Sequence, residues 1–108
     1  MSDNTRHITD KDFNETLSST EKPVLIDFWA PWCGPCKVVK PLFEKVSETT
    51  DVQMYTLNVE ENKEIAGALG IRAIPTIKSF DGGKEVSNNV GTLQESQIKD
   101  LVNNLING

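Results

Sequence analysis

Long apolar runs are missing from this 108-residue chain. No stretch approaches the roughly 18 residues that cross a bilayer as a helix, and the opening MSDNTRHITD has no apolar core of signal-peptide length. A cytoplasmic location is therefore expected, unless a leader was removed. Positive charge is also in short supply. Eleven Lys and Arg stand against sixteen Asp and Glu, a formal net charge of -5, and the acids are scattered rather than gathered into a tail. Such a surface argues against nucleic acid and anionic membranes as partners, since both are negative themselves. Cysteine and histidine are scarcer still, at two and one. A four-ligand zinc site within one chain would need a carboxylate, an unusual choice for structural zinc, so no metal is expected. No Gly-rich phosphate loop follows a strand, so no nucleotide cofactor is expected to bind. Repeats, low-complexity blocks and Pro/Ser-rich linkers are absent too, which leaves residues 1–108 to be read as a single domain.

What is present suits that reading. Hydrophobic residues at 37% and charged ones at 25% place the chain among globular domains, long enough to bury a core without covalent staples. RHIT is a short extended segment. TDKDFNETLSS reads as a helix, with Thr9 or Asp10 as N-cap and Phe13 and Leu17 on one face. PVLIDFWA reads as a strand whose continuous hydrophobicity predicts burial on both faces, in the middle of an α/β sheet. A helix follows from about Pro35 to Thr49, with Val38, Val39, Leu42, Phe43 and Val46 at helical spacing and Pro41 expected to kink it. DVQMYTLNV is a second strand that turns Met54 and Thr56 to one side and Tyr55 and Leu57 to the other. EENKEIAGALG is a short helix closed by Gly70. IPTIKSF is a third strand, DGGK a hairpin turn, and EVSNNVG a polar edge strand. TLQESQIKDLVNNLI closes the chain as a helix, with Thr92 and Glu95 as a capping box and an apolar stripe of Leu93, Ile98, Leu101, Val102, Leu105 and Ile106. The order β-α-β-α-β-α-β-β-α predicts an α/β fold. Its mixed central sheet combines parallel strands with a C-terminal antiparallel hairpin, and helices cover both faces.

WCGPCK is the hexamer that speaks to chemistry. It leaves a buried strand and opens a helix, the setting that gives a C-x-x-C pair meaning. Cys33 falls at or beside the helix N-terminus, where unpaired N–H groups and the positive end of the dipole favour a thiolate. Cys36 follows three residues later, within bridging range on the same side of the first turn. Pro35 suits a first-turn position, having no N–H to lose there. As a staple the pair is poor. Closing so small a loop is worth only about 2 kcal/mol on the chain-entropy model, against about 4.7 for a 100-residue loop. Zinc shared between two chains and an inert pair are the alternatives. Redox chemistry fits the setting best.

FWAPWCGPCK, GIRAIPT and the order of elements resemble the thioredoxin family across essentially the whole chain. The resemblance implies the thioredoxin fold and a general protein-disulfide reductase serving electron transport and cell redox homeostasis. Cys33 would attack the substrate disulfide and Cys36 would resolve the mixed disulfide, with Gly34 and Pro35 tuning the pair. Asp27 matches the family's buried aspartate, Pro75 its cis-proline, and Ala73 and Ile74 the backbone that pairs with a substrate strand. Trp29, Trp32, Val90 and Gly91 match positions around the active-site surface, Trp29 as packing and Trp32 as a contact. The implied partners are disulfide-containing proteins and a thioredoxin reductase drawing on NADPH through its own flavin, with this chain a monomer that binds no cofactor itself. The resemblance also explains a charge in the apolar run VLIDFWA. A buried carboxylate resists ionisation, so through a water molecule Asp27 could take the proton of Cys36 near neutral pH.

Some positions depart from the family pattern. Many members carry a lysine on the second long strand near the aspartate, where this chain has Thr56, so Asp27 is expected to ionise even more reluctantly. Lys78 in TIKSF points either toward Asp27 or away from it, and Pro31 and Lys40 are milder departures. His7 reads as a surface strand residue and Lys37 as a solvated one. Two other functions compete with the reductase. One is a non-enzymatic binding subunit that holds partners around Trp32, Ile74 and Gly91. The other is an oxidant or isomerase of an oxidising compartment, against which the Gly-Pro middle pair argues.

Overall fold

Six apolar or aromatic-flanked residues, Val24 to Trp29, occupy the middle of a five-stranded sheet, and everything else in the molecule is arranged around them. The computed structural model describes residues 5–20 and 22–107. The elements run β1 (Arg6–His7), α1 (Phe13–Ser19), β2 (Val24–Trp29), α2 (Gly34–Ser47), β3 (Gln53–Asn58), α3 (Lys63–Ala68), β4 (Thr76–Asp81), β5 (Lys84–Val90) and α4 (Glu95–Asn107). The sheet order is β1-β3-β2-β4-β5. β3 pairs in parallel with both β1 and β2, while β4 runs antiparallel to β2 and to β5. The antiparallel part of the sheet thus begins one strand earlier than the hairpin alone.

Alternation along β2 divides the core. Val24, Ile26 and Phe28 pack with Phe13 and Leu17 of α1 and Ile65 of α3. Leu25, with Met54 and Ile77 beside it, packs under Val39, Phe43 and Val46 of α2 and Ile98 and Val102 of α4. Helices therefore cover both faces, as the continuous apolar run requires. α2 passes unbroken through Pro41. The missing N–H costs one i→i−4 bond, which the packing of Val39, Phe43 and Val46 on either side outweighs. Two residues of the expected stripes stay outside the core: Val38 and Ile106 are exposed, at 57% and 61%. Val38 faces away from its neighbour Val39, a turn of about 100° per residue.

Helix ends show where local reading stops. Gly70 takes φ +70, the Ile71 N–H donates to the Ala66 carbonyl and the Gly70 N–H to that of Gly67, closing α3 with the expected glycine cap. At the start of α1 the cap is Asp12, not Thr9 or Asp10. Asp12 Oδ1 accepts from the Thr9 N–H and hydroxyl, while Asp10 reaches across the chain. Its carboxylate accepts from the N–H groups of Glu64 and Ile65 at 3.2 and 2.8 Å, the orphan donors at the start of α3, whose own Asn62 makes no capping bond. Asn62 Oδ1 in turn accepts the Asp10 N–H at 2.9 Å. Asp10→Ala is therefore expected to cost about 1–2 kcal/mol, the range for a lost helix cap, read as a lower urea midpoint at unchanged slope. The expected Thr92–Glu95 box is also displaced. The Gln94 N–H donates to Gln97 Oε1 instead, and Glu95 spends its carboxylate on Lys45 and Lys99, each at 3.1 Å.

Candidate active site

β2 ends at Trp29 and the chain turns through residues 30–33 into α2, fixing where the two sulfurs can be. The Cys33 N–H donates to the Ala30 carbonyl at 3.1 Å, which closes the turn. Cys33 is the N-cap of α2, and its Sγ accepts the Cys36 N–H at 3.2 Å. One of the orphan donors of the helix start is thus aimed at sulfur, with the positive end of the helix behind it. Cys33 and Cys36 are joined as a disulfide, their Cα atoms 5.3 Å apart. Both are buried, and Cys33 adjoins Trp32, which is 67% exposed. Gly34 and Pro35 fill the first two helical positions, exposed, so the middle pair shapes the turn without joining the core. Ala30, Cys33 and Cys36 form a small cluster against which Trp29, Val59 and Ile74 pack.

Ile74 comes from the segment that leads into β4, the strand next to β2. The Ile74–Pro75 peptide is cis, and the Gly91 N–H donates to the Pro75 carbonyl at 2.8 Å. That bond ties the end of β5 to the loop before β4, with Gly91 at φ +101, a conformation only glycine adopts without strain. Val90, beside it, is 59% exposed. Ala73 is exposed and its carbonyl accepts the Thr76 hydroxyl at 2.6 Å. Ile74 stands just before the ladder, which starts at Thr76. The residues singled out in sequence at 29–36, 73–75 and 90–91 are all at the same pole of the sheet.

Asp27 lies below them in mid-strand, between β3 and β4, with no exposed surface. It is not a strand-edge residue. Neither carboxylate oxygen has a hydrogen-bond partner among the described residues. Burial pushes its pKa from 3.8 up to about 7, with the Lys40 ammonium working against that rise and the Glu44 carboxylate adding to it. In the β2–β3 register Asp27 faces Thr56, and Thr56 Oγ1 lies 2.9 Å from Nδ1 of the exposed His7. In the β2–β4 register Lys78 is opposite Ile26, one residue off, and therefore on the other side of the sheet from Asp27. There its Nζ lies 2.9 Å from Glu85 Oε1. The question about Lys78 is answered by register: it points away. The cation that does bear on Asp27 is Lys40, which the sequence left among its milder departures. A signal was available in its spacing, four residues beyond Cys36 and four before Glu44.

Among the described residues no helix is long and apolar enough to cross a membrane. The family model described as Thioredoxin matches residues 4–104. The chain is 38% identical to a thioredoxin of Rickettsia bellii over 93% of its own length and 97% of that protein's. It is 41% identical to a thioredoxin of Synechocystis over 87% and 90%. Among solved structures, a Malassezia sympodialis thioredoxin superposes with TM-score 0.85 at 36% identity, covering 95% of this chain and 91% of that one. A reduced Schistosoma mansoni thioredoxin gives 0.87 at 31%, covering 94% and 97%.

Proposed function

The chain belongs to the thioredoxin family and is a thiol–disulfide oxidoreductase, and from that premise we propose that it is a general reductant of protein disulfides. The observation that carries this reading is the position of Cys33 Sγ, capping α2 and accepting the Cys36 N–H at 3.2 Å. In the reduced chain that sulfur is held as a thiolate and attacks a substrate disulfide. A Cys33–substrate S–S bond forms, the substrate S–S bond breaks, and one substrate thiolate leaves. Asp27 then takes the proton of Cys36. The new thiolate attacks Cys33 Sγ, the Cys33–Cys36 bond forms, and the second substrate thiolate departs. Two electrons have passed to the substrate. A carboxylate with pKa about 7 is about half ionised at neutral pH, which is what a base for this step needs.

The substrate strand lies along Trp32, Ala73, Ile74, Pro75, Val90 and Gly91, where Trp32, next to Cys33, and Val90, paired with Thr76, offer exposed apolar surface. A cavity of about 300 Å³ lined by Gly70, Ile71, Arg72, Ala73, Thr76, Asn88 and Val90 continues that surface. Residues 1–108 act as one domain and one monomer in the cytoplasm, re-reduced by a thioredoxin reductase that draws on NADPH. The test is reduction of insulin coupled to NADPH consumption by such a reductase. Steady turnover that disappears in Cys33→Ser is expected. No turnover with a reductase that serves another thioredoxin would end this reading.

A further inference from the structure

Between β2 and α2 runs a seam that carries more charge than the reductive chemistry above uses. Leu25 of β2 packs under Val39, Phe43 and Val46 of α2. Asp27 and Trp29, two and four residues on, project to the same side. On α2, residues 36, 40 and 44 recur at intervals of four and so form one stripe, headed by the resolving cysteine. Lys40 Nζ lies 5.3 Å from the Trp29 ring centroid and 2.6 Å from Glu44 Oε2. Both side chains are withdrawn from solvent, at 27% and 25% exposure. One cation and one anion, bound to each other, therefore line the strand face that carries Asp27.

We propose that the Lys40–Glu44 pair sets the proton affinity of Asp27, and through it the pH range in which Cys36 resolves the mixed disulfide, with Lys40 and Glu44 as positioning residues of opposite sign. The kinetic part rests on the reductase reading given above. Among the described residues, the other elements around Asp27 bring no competing charge to it. β3 offers Thr56, whose hydroxyl is engaged by His7 of β1. β4 places Ile77 opposite and turns Lys78 to the other face, onto Glu85 of β5. β5 contributes Asn89 on this side, where its Nδ2 lies near the Ile77 carbonyl. α4 presents Ile98 and Val102 to the core and keeps Glu95 and Lys99 with Lys45 at the surface. Lys40 and Glu44 are also the two charges that bear on Asp27, the first easing its ionisation and the second opposing it. Because they are paired, removing either one unmasks the other.

The experiment is a carboxyl-carbon NMR titration of Asp27 in the oxidised protein, alongside the pH profile of single-turnover insulin reduction. Lys40→Met is expected to raise the Asp27 midpoint by about one pH unit and Glu44→Gln to lower it by a similar amount, with the kinetic profile moving the same way each time. Lys40→Arg is expected to restore the wild-type midpoint, and Lys78→Met to leave it unmoved. Midpoints unchanged in both Lys40→Met and Glu44→Gln, or shifted in the same direction, would overturn the proposal. The titration needs no turnover. A wild-type chain that failed to reduce insulin would overturn the reductase reading and the kinetic half of this one, and the two midpoints would still decide the electrostatic half.

Discussion

Replacing Cys36 by serine is expected to convert turnover into capture. The substitution keeps the size of the side chain nearly unchanged and leaves the N-cap sulfur of Cys33 with its N–H donor, because that donor is the backbone of residue 36. Attack on a substrate disulfide therefore proceeds, and a Cys33–substrate bond forms. A hydroxyl cannot displace it, so the mixed disulfide persists until an external thiol reaches it. Catalytic insulin reduction should fall to background. Non-reducing gels of the variant incubated with oxidised protein substrates should show adducts that dithiothreitol releases. Cys33→Ser is the matching control. Its remaining cysteine lies inside the first turn rather than at the N-cap, where Cys33 Sγ accepts an N–H that favours the thiolate, and it should capture little. Equal capture by both variants would contradict the assigned order of attack. No capture by either would favour a module that merely holds partners through Trp32 and its neighbours.

How much of this site was legible beforehand depended on whether its parts are local. Cys33, Gly34, Pro35 and Cys36 announce themselves because a strand, a turn and a helix start are written in one continuous stretch. Asp27 was legible as a charge out of place in an apolar run, and the structure puts it in the middle of the sheet with no exposed surface. Lys78 could not be assigned a side from alternation alone. Its direction is set by which residue of β2 it opposes, and a shift of one residue would have reversed it. Spacing puts Lys40 on one stripe of α2 with Cys36 and Glu44, but its bearing on Asp27 comes from the crossing of α2 over β2, which spacing alone does not contain. Asp10 departs from its local expectation for a related reason. It has the right chemistry for a cap, and it caps a helix that begins more than fifty residues later. His7 found a partner in Thr56 only because β1 and β3 align in parallel. Local propensity identified the elements and the cysteine turn. Pairings between elements decided the electrostatics around Asp27.

Asp27→Asn is expected to stabilise the oxidised protein strongly at alkaline pH and scarcely at all in acid. The folded pKa of about 7 lies above the unfolded value of 3.8, so between those two pH values the native state binds the extra proton. Stability linked to the protonated carboxyl is then fully present below about pH 3.8 and is lost as pH rises through about 7. At about 1.4 kcal/mol per pH unit the gap amounts to about 4 kcal/mol. An asparagine amide does not titrate, so the difference between the two proteins should grow from near zero at pH 4 to about 4 kcal/mol at pH 8 and then level off. Glu95, whose carboxyl is held low by hydrogen bonds from Lys45 and Lys99, contributes the opposite slope to both proteins and cancels in the comparison. Urea denaturation at several pH values measures the curve. A difference that stays flat with pH, or a variant less stable than wild type at pH 8, would contradict the burial argument. The same quantity bears on the chemistry. The free energy that makes ionised Asp27 unwelcome in the core is what gives it enough proton affinity to draw the proton from Cys36. A more stable Asp27→Asn protein should therefore resolve mixed disulfides more slowly at neutral pH, and the two effects should share one midpoint.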